Sequence, residues 1–275
     1  MKTQPSSPCS PPPVSDYHTH TYLCKHAKGM PKEYVAEAIQ KGLPQICFTD
    51  HAPAPCGYDH NFRMDINDVE HYRELISQIQ TTSELDILYG IEADYYNGCE
   101  EFLSSWLQKQ DFDIVLGSVH FIETWGFDDE ANLSQWETAD INKTWKHYFR
   151  LLEKLADTHL FDVVSHLDLP KKFGHKPTND ILEIAKPTLE RIASTGMAIE
   201  INTSGLDRPI GEIYPSMPLL KLCRKMSIPI TFGSDAHLPG DVGRHFDKAL
   251  AAATAAGYTH SLRFCKRQSE LVPLP

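Results

Sequence analysis

Seven short apolar runs constrain this chain more than any other feature. Each ends at or just before a histidine or a carboxylate, and each is followed by a stretch with helical spacing. The runs are Val14–Thr21, Gln45–Thr49, Ile87–Ala93, Phe112–His120, Phe161–His166, Met197–Asn202 and Ile228–Asp235. Strands that are apolar almost throughout must be covered on both faces, and strict alternation with helices makes them parallel neighbours in one sheet. The helical stretches begin near Pro31, Asn67, Glu100, Ile141, Asn179, Met217 and Phe246. Pro31 suits a first helical turn, Gly42 a helix end, and Pro187 is expected to bend or split its helix.

Seven β-then-α units are one short of the eight-fold barrel, and no GxGxxG follows the first strand to favour a dinucleotide fold. The spacing therefore predicts an α/β fold, a distorted seven-stranded (β/α)7 TIM-like barrel. Residues 1–13, rich in Pro and Ser, read as a flexible tail, and residues 14–275 as a single domain. The Ala-rich stretch Phe246–Ala256 is expected to close the regular part.

In such barrels the C-terminal ends of the strands build the active site. Here those ends carry His18 and His20, His51, Glu92, His120, His166, Glu200 and Asn202, and Asp235 and His237. Any one of the 14 histidines is as readily a hydrogen-bonded core residue as a ligand. Seven coincidences with strand ends are not explained that way. In the opening DYHTH, alternation along a strand puts Asp16, His18 and His20 on one face, two imidazoles with a carboxylate behind them. Imidazoles with a few carboxylates and no thiolate suit Zn, Mn or Fe better than Ca or Mg. The donors outnumber what one ion can use, so two or three divalent ions are implied. Adjacent divalent ions suit metal-assisted phosphoester hydrolysis.

Lys and Arg total 26 against 37 Asp and Glu, a net charge of −11, which argues against nucleic acid or an anionic membrane as partner. Seven cysteines without a CxxC pair read as reduced thiols of a cytoplasmic protein.

The motifs DYHTH (16–20) with His26 six residues later, FTDHAP (48–53), GIEADY (90–95), GSVHF (117–121), SHLDL (165–169), EINTSG (200–205) and GSDAH (233–237) resemble those of the PHP (polymerase and histidinol phosphatase) superfamily. SVHF with a nearby WGFD, and NTSG followed by PIGEIYPS, resemble its stand-alone histidinol-phosphate phosphatase branch. The likeness runs from about residue 14 to 250. It implies the PHP fold and a trinuclear centre: one metal on His18, His20, Glu92 and Asp235, a second on Glu92, His120 and His166, a third on His26, His51 and His237. It also implies hydrolysis of L-histidinol phosphate to L-histidinol and phosphate, in histidine biosynthesis, by a hydroxide bridging two of the ions.

Asp168 is a candidate to protonate the leaving alkoxide; Asp16 and Asp50 are candidates to stand behind the ligands or to serve as structural carboxylates, Asp50 equally as an N-terminal cap of the following loop. Where the superfamily has a phosphate-binding Arg after NTSG-Leu, this chain has Asp207 and then Arg208. Arg208 is expected to take that role, with Arg63, Arg244 and Lys171 as substitutes. Asn202 and Trp125 are expected at the substrate, Trp125 with Phe127 as a wall. The competing readings are a PHP phosphoesterase for another small phosphate or a nucleic-acid end, a metal-dependent amidohydrolase, and a non-catalytic module.

Overall fold

The computed structural model describes residues 14–275; the Pro/Ser-rich residues 1–13 lie outside the described residues. Seven parallel strands, β1 (Asp16–Thr19), β2 (Gln45–Phe48), β3 (Asp86–Asp94), β4 (Ile114–Ser118), β5 (Val163–Val164), β6 (Ala198–Asn202) and β7 (Ile230–Gly233), lie in chain order across one sheet. The sheet curls until its edges meet. Beyond the end of β7, Ala236 donates to the His18 carbonyl (3.2 Å) and accepts from the His20 amide (2.9 Å). The result is a nearly closed seven-stranded α/β barrel.

Among the described residues, seven helices of eight or more residues cover it: α1 (Pro31–Gln40), α2 (Val69–Thr82), α3 (Glu100–Leu107), α4 (Ile141–Asp157), α5 (Ile181–Thr195), α6 (Met217–Lys225) and α7 (Phe246–Ala255). Local chemistry sets their ends. The Asp140 side chain accepts from the Lys143 amide at the start of α4, Asp180 does the same for Leu182 at α5, and Gly196 ends α5 at φ +76°. Along α4, Trp145, Tyr148, Phe149, Leu152, Leu155 and Ala156 form the buried stripe. The expected break at Pro187 does not occur, and α5 runs through it as one helix. The next residue, Thr188, bonds the Phe149 carbonyl of α4 (2.9 Å), so packing between α4 and α5 holds the helix together across the missing N–H.

The regular part does not close at Ala256. A C-terminal hairpin, β8 (His260–Cys265) and β9 (Gln268–Pro273), follows α7. It stoppers the barrel at the end where the strands begin. Leu262 and Phe264 join Tyr17, Cys47, Leu88, Ile114 and Val163 in the barrel interior, and Phe264 packs edge-on to Tyr17. Around this contact, three carboxylates at strand starts catch the hairpin. Arg263 pairs with Asp86 (3.1 Å), the Lys266 amide with Asp113 (2.9 Å), and Arg267 with Asp162 (2.9 Å). The opposite end stays open for the strand-terminal ligands. Among the described residues no helix is long and apolar enough to cross a membrane.

Phe264→Ala should cost about 3–5 kcal/mol of unfolding free energy in urea titration, because a core aromatic is lost with no neighbour able to collapse into its place. A loss below about 1 kcal/mol would show that the hairpin is not what closes this end.

Candidate metal centre

Glu92, on β3, stands where the strand ends converge, and its carboxylate is almost completely buried. One oxygen, Oε2, lies 3.3 Å from His18 Nε2, 3.7 Å from His20 Nε2 and 3.0 Å from His51 Nδ1. The other, Oε1, lies 3.0 Å from His166 Nε2 and 3.7 Å from His120 Nε2, and accepts from Ser118 Oγ. Asp235 completes the first group at 3.3 Å from His20 Nε2 and 3.7 Å from His18 Nε2. Donors at about 2.1 Å from a tetrahedral ion are about 3.4 Å from one another, which is the spacing seen here.

Several of these atoms are buried yet hold no hydrogen bond among the described residues: His18 Nε2, His20 Nε2, His51 Nδ1, Glu92 Oε2 and His237 Nε2. Buried polar atoms that converge without partners cost free energy unless something else satisfies them. A divalent cation does so, and the donor set fits one. His237 belongs to two groups of donor atoms that lie within 4.8 Å of one another, one with His20 and His51 and one with His26 and Cys24. The structure thus brings all nine sequence-predicted ligands to one end of the barrel. Cys24 stands among them, although the sequence did not single it out.

Outer partners fix which nitrogen faces inward. His18 Nδ1 is 2.7 Å from Glu200, and His120 Nδ1 is 2.8 Å from Asp94. His26 Nδ1 and His237 Nδ1 face the Cys24 and Asp235 carbonyls. Each leaves Nε2 free to ligate. Of the two roles open to Asp16, behind the ligands or structural, the structure shows the structural one. Asp16 accepts from the Ser234 and Gly243 amides (2.9 and 2.8 Å), tying β1 to the loop after β7. The pairing of β1 with β2 shifts between Asp16 and Thr19, so the alternation assumed from DYHTH does not run through. Glu200 stands behind His18 instead, and Asp50 lies 3.6 Å from His20 Nδ1.

Gly233 makes the Glu200 contact possible, since a Cβ there would sit 1.8 Å from Glu200 Oε1 and 2.6 Å from His18 Cβ. Two further expected ligands hold left-handed backbone, His166 at φ +24° and Asp235 at φ +53°, strain of the kind that tight functional sites retain.

The charges follow from the geometry. Burial opposes ionisation of Glu92, but His18 and His51 outweigh it and hold the carboxyl well below its usual range. Burial disfavours charge on His120, yet Asp94 pushes it up to about 10. Burial together with His51 and His20 pulls His26 down to about 4, so His26 keeps the neutral, lone-pair-bearing form that binds metals.

A cavity of about 400 Å³ opens over this floor. Its walls include Phe62 and Phe121, an acidic stretch Asp128–Glu130, and Lys172, Ser204, Arg208 and Tyr214. Arg208 is therefore at the cavity, while the other expected cations are engaged elsewhere. Arg63 is buried between Asp59 and Asp94 (2.8 and 3.0 Å), Arg244 between Asp207 and Asp241 (3.4 Å each), and Lys171 against Asp168 (3.0 Å).

Three expectations are corrected. Asp168 does not line the cavity; it is buried in the Lys171 ion pair and accepts from the Ser216 amide (2.8 Å). Asn202 is fully buried, bonding Glu200 and Ser204, and braces the site from behind. Trp125 sits in a short ribbon (Phe121–Ile122 with Trp125–Gly126) and packs on Trp136, so Phe121 supplies the wall. The sequence reading gave no role at the site to Asp94, Lys172 or Tyr214. A carboxylate two residues past Glu92 on the same strand was the available signal for Asp94.

Fold and donor set define a metal-binding α/β barrel. Residues 16–204 match the PHP domain family and residues 219–251 the PHP-associated family, and the chain belongs to the PHP domain family. A probable histidinol-phosphatase of Deinococcus radiodurans is 39% identical over 258 residues, 93% of this chain and 98% of that protein. The histidinol-phosphatase of Bacillus subtilis is 30% identical over 261 residues, covering 86% and 97%. The solved structure of histidinol phosphate phosphatase from Lactococcus lactis, complexed with zinc, L-histidinol and phosphate, shares the fold at a TM-score of 0.74 and 23% identity, covering 94% of this chain and 99% of that one.

Asp94→Asn should leave the fold intact but weaken metal binding about 10–100-fold in chelator-competition titrations, because His120 loses the carboxylate that orients it. Unchanged affinity would mean that His120 is not a ligand.

Proposed function

We propose that this protein hydrolyses L-histidinol phosphate to L-histidinol and inorganic phosphate at a centre of three divalent ions. The observation that carries this reading is a cavity with metal donors for a floor and both Arg208 and Asp128–Glu130 on its walls. Arg208 offers charge complementary to a phosphate, and Asp129 and Glu130 charge complementary to an ammonium or imidazolium. A cavity of this volume suits a small metabolite better than a nucleic-acid strand. Relatives that this chain covers almost end to end are named for the same reaction.

The proposed ligand sets are His18, His20, Glu92 and Asp235; Glu92, His120 and His166; and His26, His51 and His237, with Zn, Mn or Fe as the ions. Ions held there would supply an activated water and neutralise the charge that builds on phosphorus. The chain does the rest. Glu92 spreads its two oxygens over two ligand groups and sets their spacing. Glu200 and Asp94 hold the His18 and His120 rings in one tautomer, so their Nε2 atoms need no rearrangement during turnover. Arg208 would donate to phosphate oxygens with the guanidinium fork that suits them, while Lys172 is held by Asp128 (3.2 Å) and the Ser204 hydroxyl donates to Asn202 and Asp235 (2.7 and 3.1 Å). Phe62, Phe121 and Leu169 narrow the space left for bulk water.

The test is phosphate release from L-histidinol phosphate, p-nitrophenyl phosphate and a DNA 3′-phosphate end, using enzyme stripped of metal and reconstituted separately with Mn²⁺, Fe²⁺ and Zn²⁺. Metal-dependent preference for L-histidinol phosphate is expected; metal-dependent turnover of only the other esters would overturn the substrate. His120→Ala should retain its circular-dichroism spectrum and lose at least about 100-fold in kcat. Arg208→Ala should raise KM about 10–100-fold, the loss expected when a charged phosphate contact of roughly 1.5–3 kcal/mol is removed.

A further inference from the structure

Cleaving the phosphate ester of an aliphatic alcohol leaves an alkoxide about as basic as hydroxide, so a proton has to reach the ester oxygen as the P–O bond breaks. Asp168 is ion-paired behind the site, and on the wall Asp128 is paired with Lys172 (3.2 Å), which outweighs burial and holds its carboxyl below the usual range.

The geometry points to Tyr214 as the group that gives this proton. The inference rests on the phosphomonoesterase reading above and assigns the step which that reading leaves open. The Tyr214 hydroxyl oxygen is buried and has no hydrogen-bond partner among the described residues, although the side chain lies on the cavity wall with His166, Ser204, Arg208 and Asp235. Buried phenols usually find a partner, and an unpartnered one on a residue of the cavity wall marks where a ligand atom belongs. A phenol is an O–H donor at neutral pH and remains protonated there.

Tyr214 is also fixed in place through its backbone and its ring. It exchanges two backbone hydrogen bonds with Asn202 at the end of β6 (2.7 and 2.9 Å). Its ring lies under the Lys171 ammonium (5.2 Å) and edge-on to His166. Gly205 permits the close approach, since a Cβ there would meet the Glu212 carbonyl at 2.2 Å and the Tyr214 ring at 2.8 Å. Lys171 is itself fixed by Asp168, Glu212 and the Ile213 carbonyl. The buried Asp168–Lys171 pair thus holds a cation over the ring rather than serving as the acid.

In the step, water adds to phosphorus and the ester P–O bond breaks with its electron pair passing to the alcohol oxygen. That oxygen takes the Tyr214 proton and leaves as a neutral alcohol. The phenolate, disfavoured by burial and therefore short-lived, regains a proton from solvent before the next turnover. No oxidant or reductant is involved.

A leaving group that needs no proton separates this role from phosphate binding. The experiment compares metal-loaded wild type and Tyr214→Phe, which keeps the ring, on L-histidinol phosphate and on p-nitrophenyl phosphate, whose phenolate departs unprotonated. Metal content is measured alongside. The expected result is a fall in kcat of about 10²–10³-fold on L-histidinol phosphate and less than about 5-fold on p-nitrophenyl phosphate, at unchanged metal stoichiometry. Equal losses on both esters, or no loss on either, would overturn the assignment. Wild type that hydrolyses p-nitrophenyl phosphate and another alkyl phosphate, but not L-histidinol phosphate, would defeat the substrate reading alone. The same ratio, taken on that alkyl ester, would then decide the role of Tyr214.

Discussion

A single buried carboxylate organises this protein. Glu92 sits at the centre of the open barrel end, its two oxygens facing five imidazoles contributed by four other segments of the chain. A buried carboxylate is tolerable only with compensating positive charge. Each strand is therefore required to finish at the same height, delivering its ligand to the same point. The close packing of the barrel interior and the stopper at the far end serve that convergence. Without them the strand ends would not share a common level.

The next layer fixes orientation. Glu200, Asp94 and Asp50 each face a ligand histidine from the side away from the centre, and Asp16 locks β1 to the loop after β7. These carboxylates all stand around one barrel end, in a chain of net charge −11. Arg63 relieves part of that crowding by pairing with Asp94, which explains why an arginine is buried next to a cation-binding centre. The same economy appears on the opposite wall, where Lys171 neutralises Asp168 and covers the Tyr214 ring.

The barrel was legible in the sequence because each apolar run was nearly continuous and each ended on a ligand-type residue. Those two signals are local, and the fold follows from their alternation. His26 was legible only through resemblance, since nothing in its own loop distinguishes it from a surface histidine. The C-terminal hairpin was missed for a physical reason. Leu262 and Phe264 alternate with polar residues as a strand should, but the two-residue turn is Lys266-Arg267 in left-handed backbone, without the glycine or asparagine that normally announces it. Pairings between distant segments, such as Glu200 with His18 or Asp168 with Lys171, have no local signature. That is why Asp168, Asn202 and Trp125 were assigned to the substrate when the structure uses them for support. Pro187 shows the converse, a local rule overruled by packing.

The most direct test of this account is anomalous diffraction from crystals of the reconstituted protein, recorded at the absorption edges of zinc, manganese and iron. The account predicts two peaks flanking the Glu92 carboxylate, one within bonding distance of His18, His20 and Asp235 and the other of His120 and His166. A third should lie among His26, His51 and His237. A single peak, or none in contact with Glu92, would contradict the claim that this carboxylate joins two ions and that the barrel is built around it.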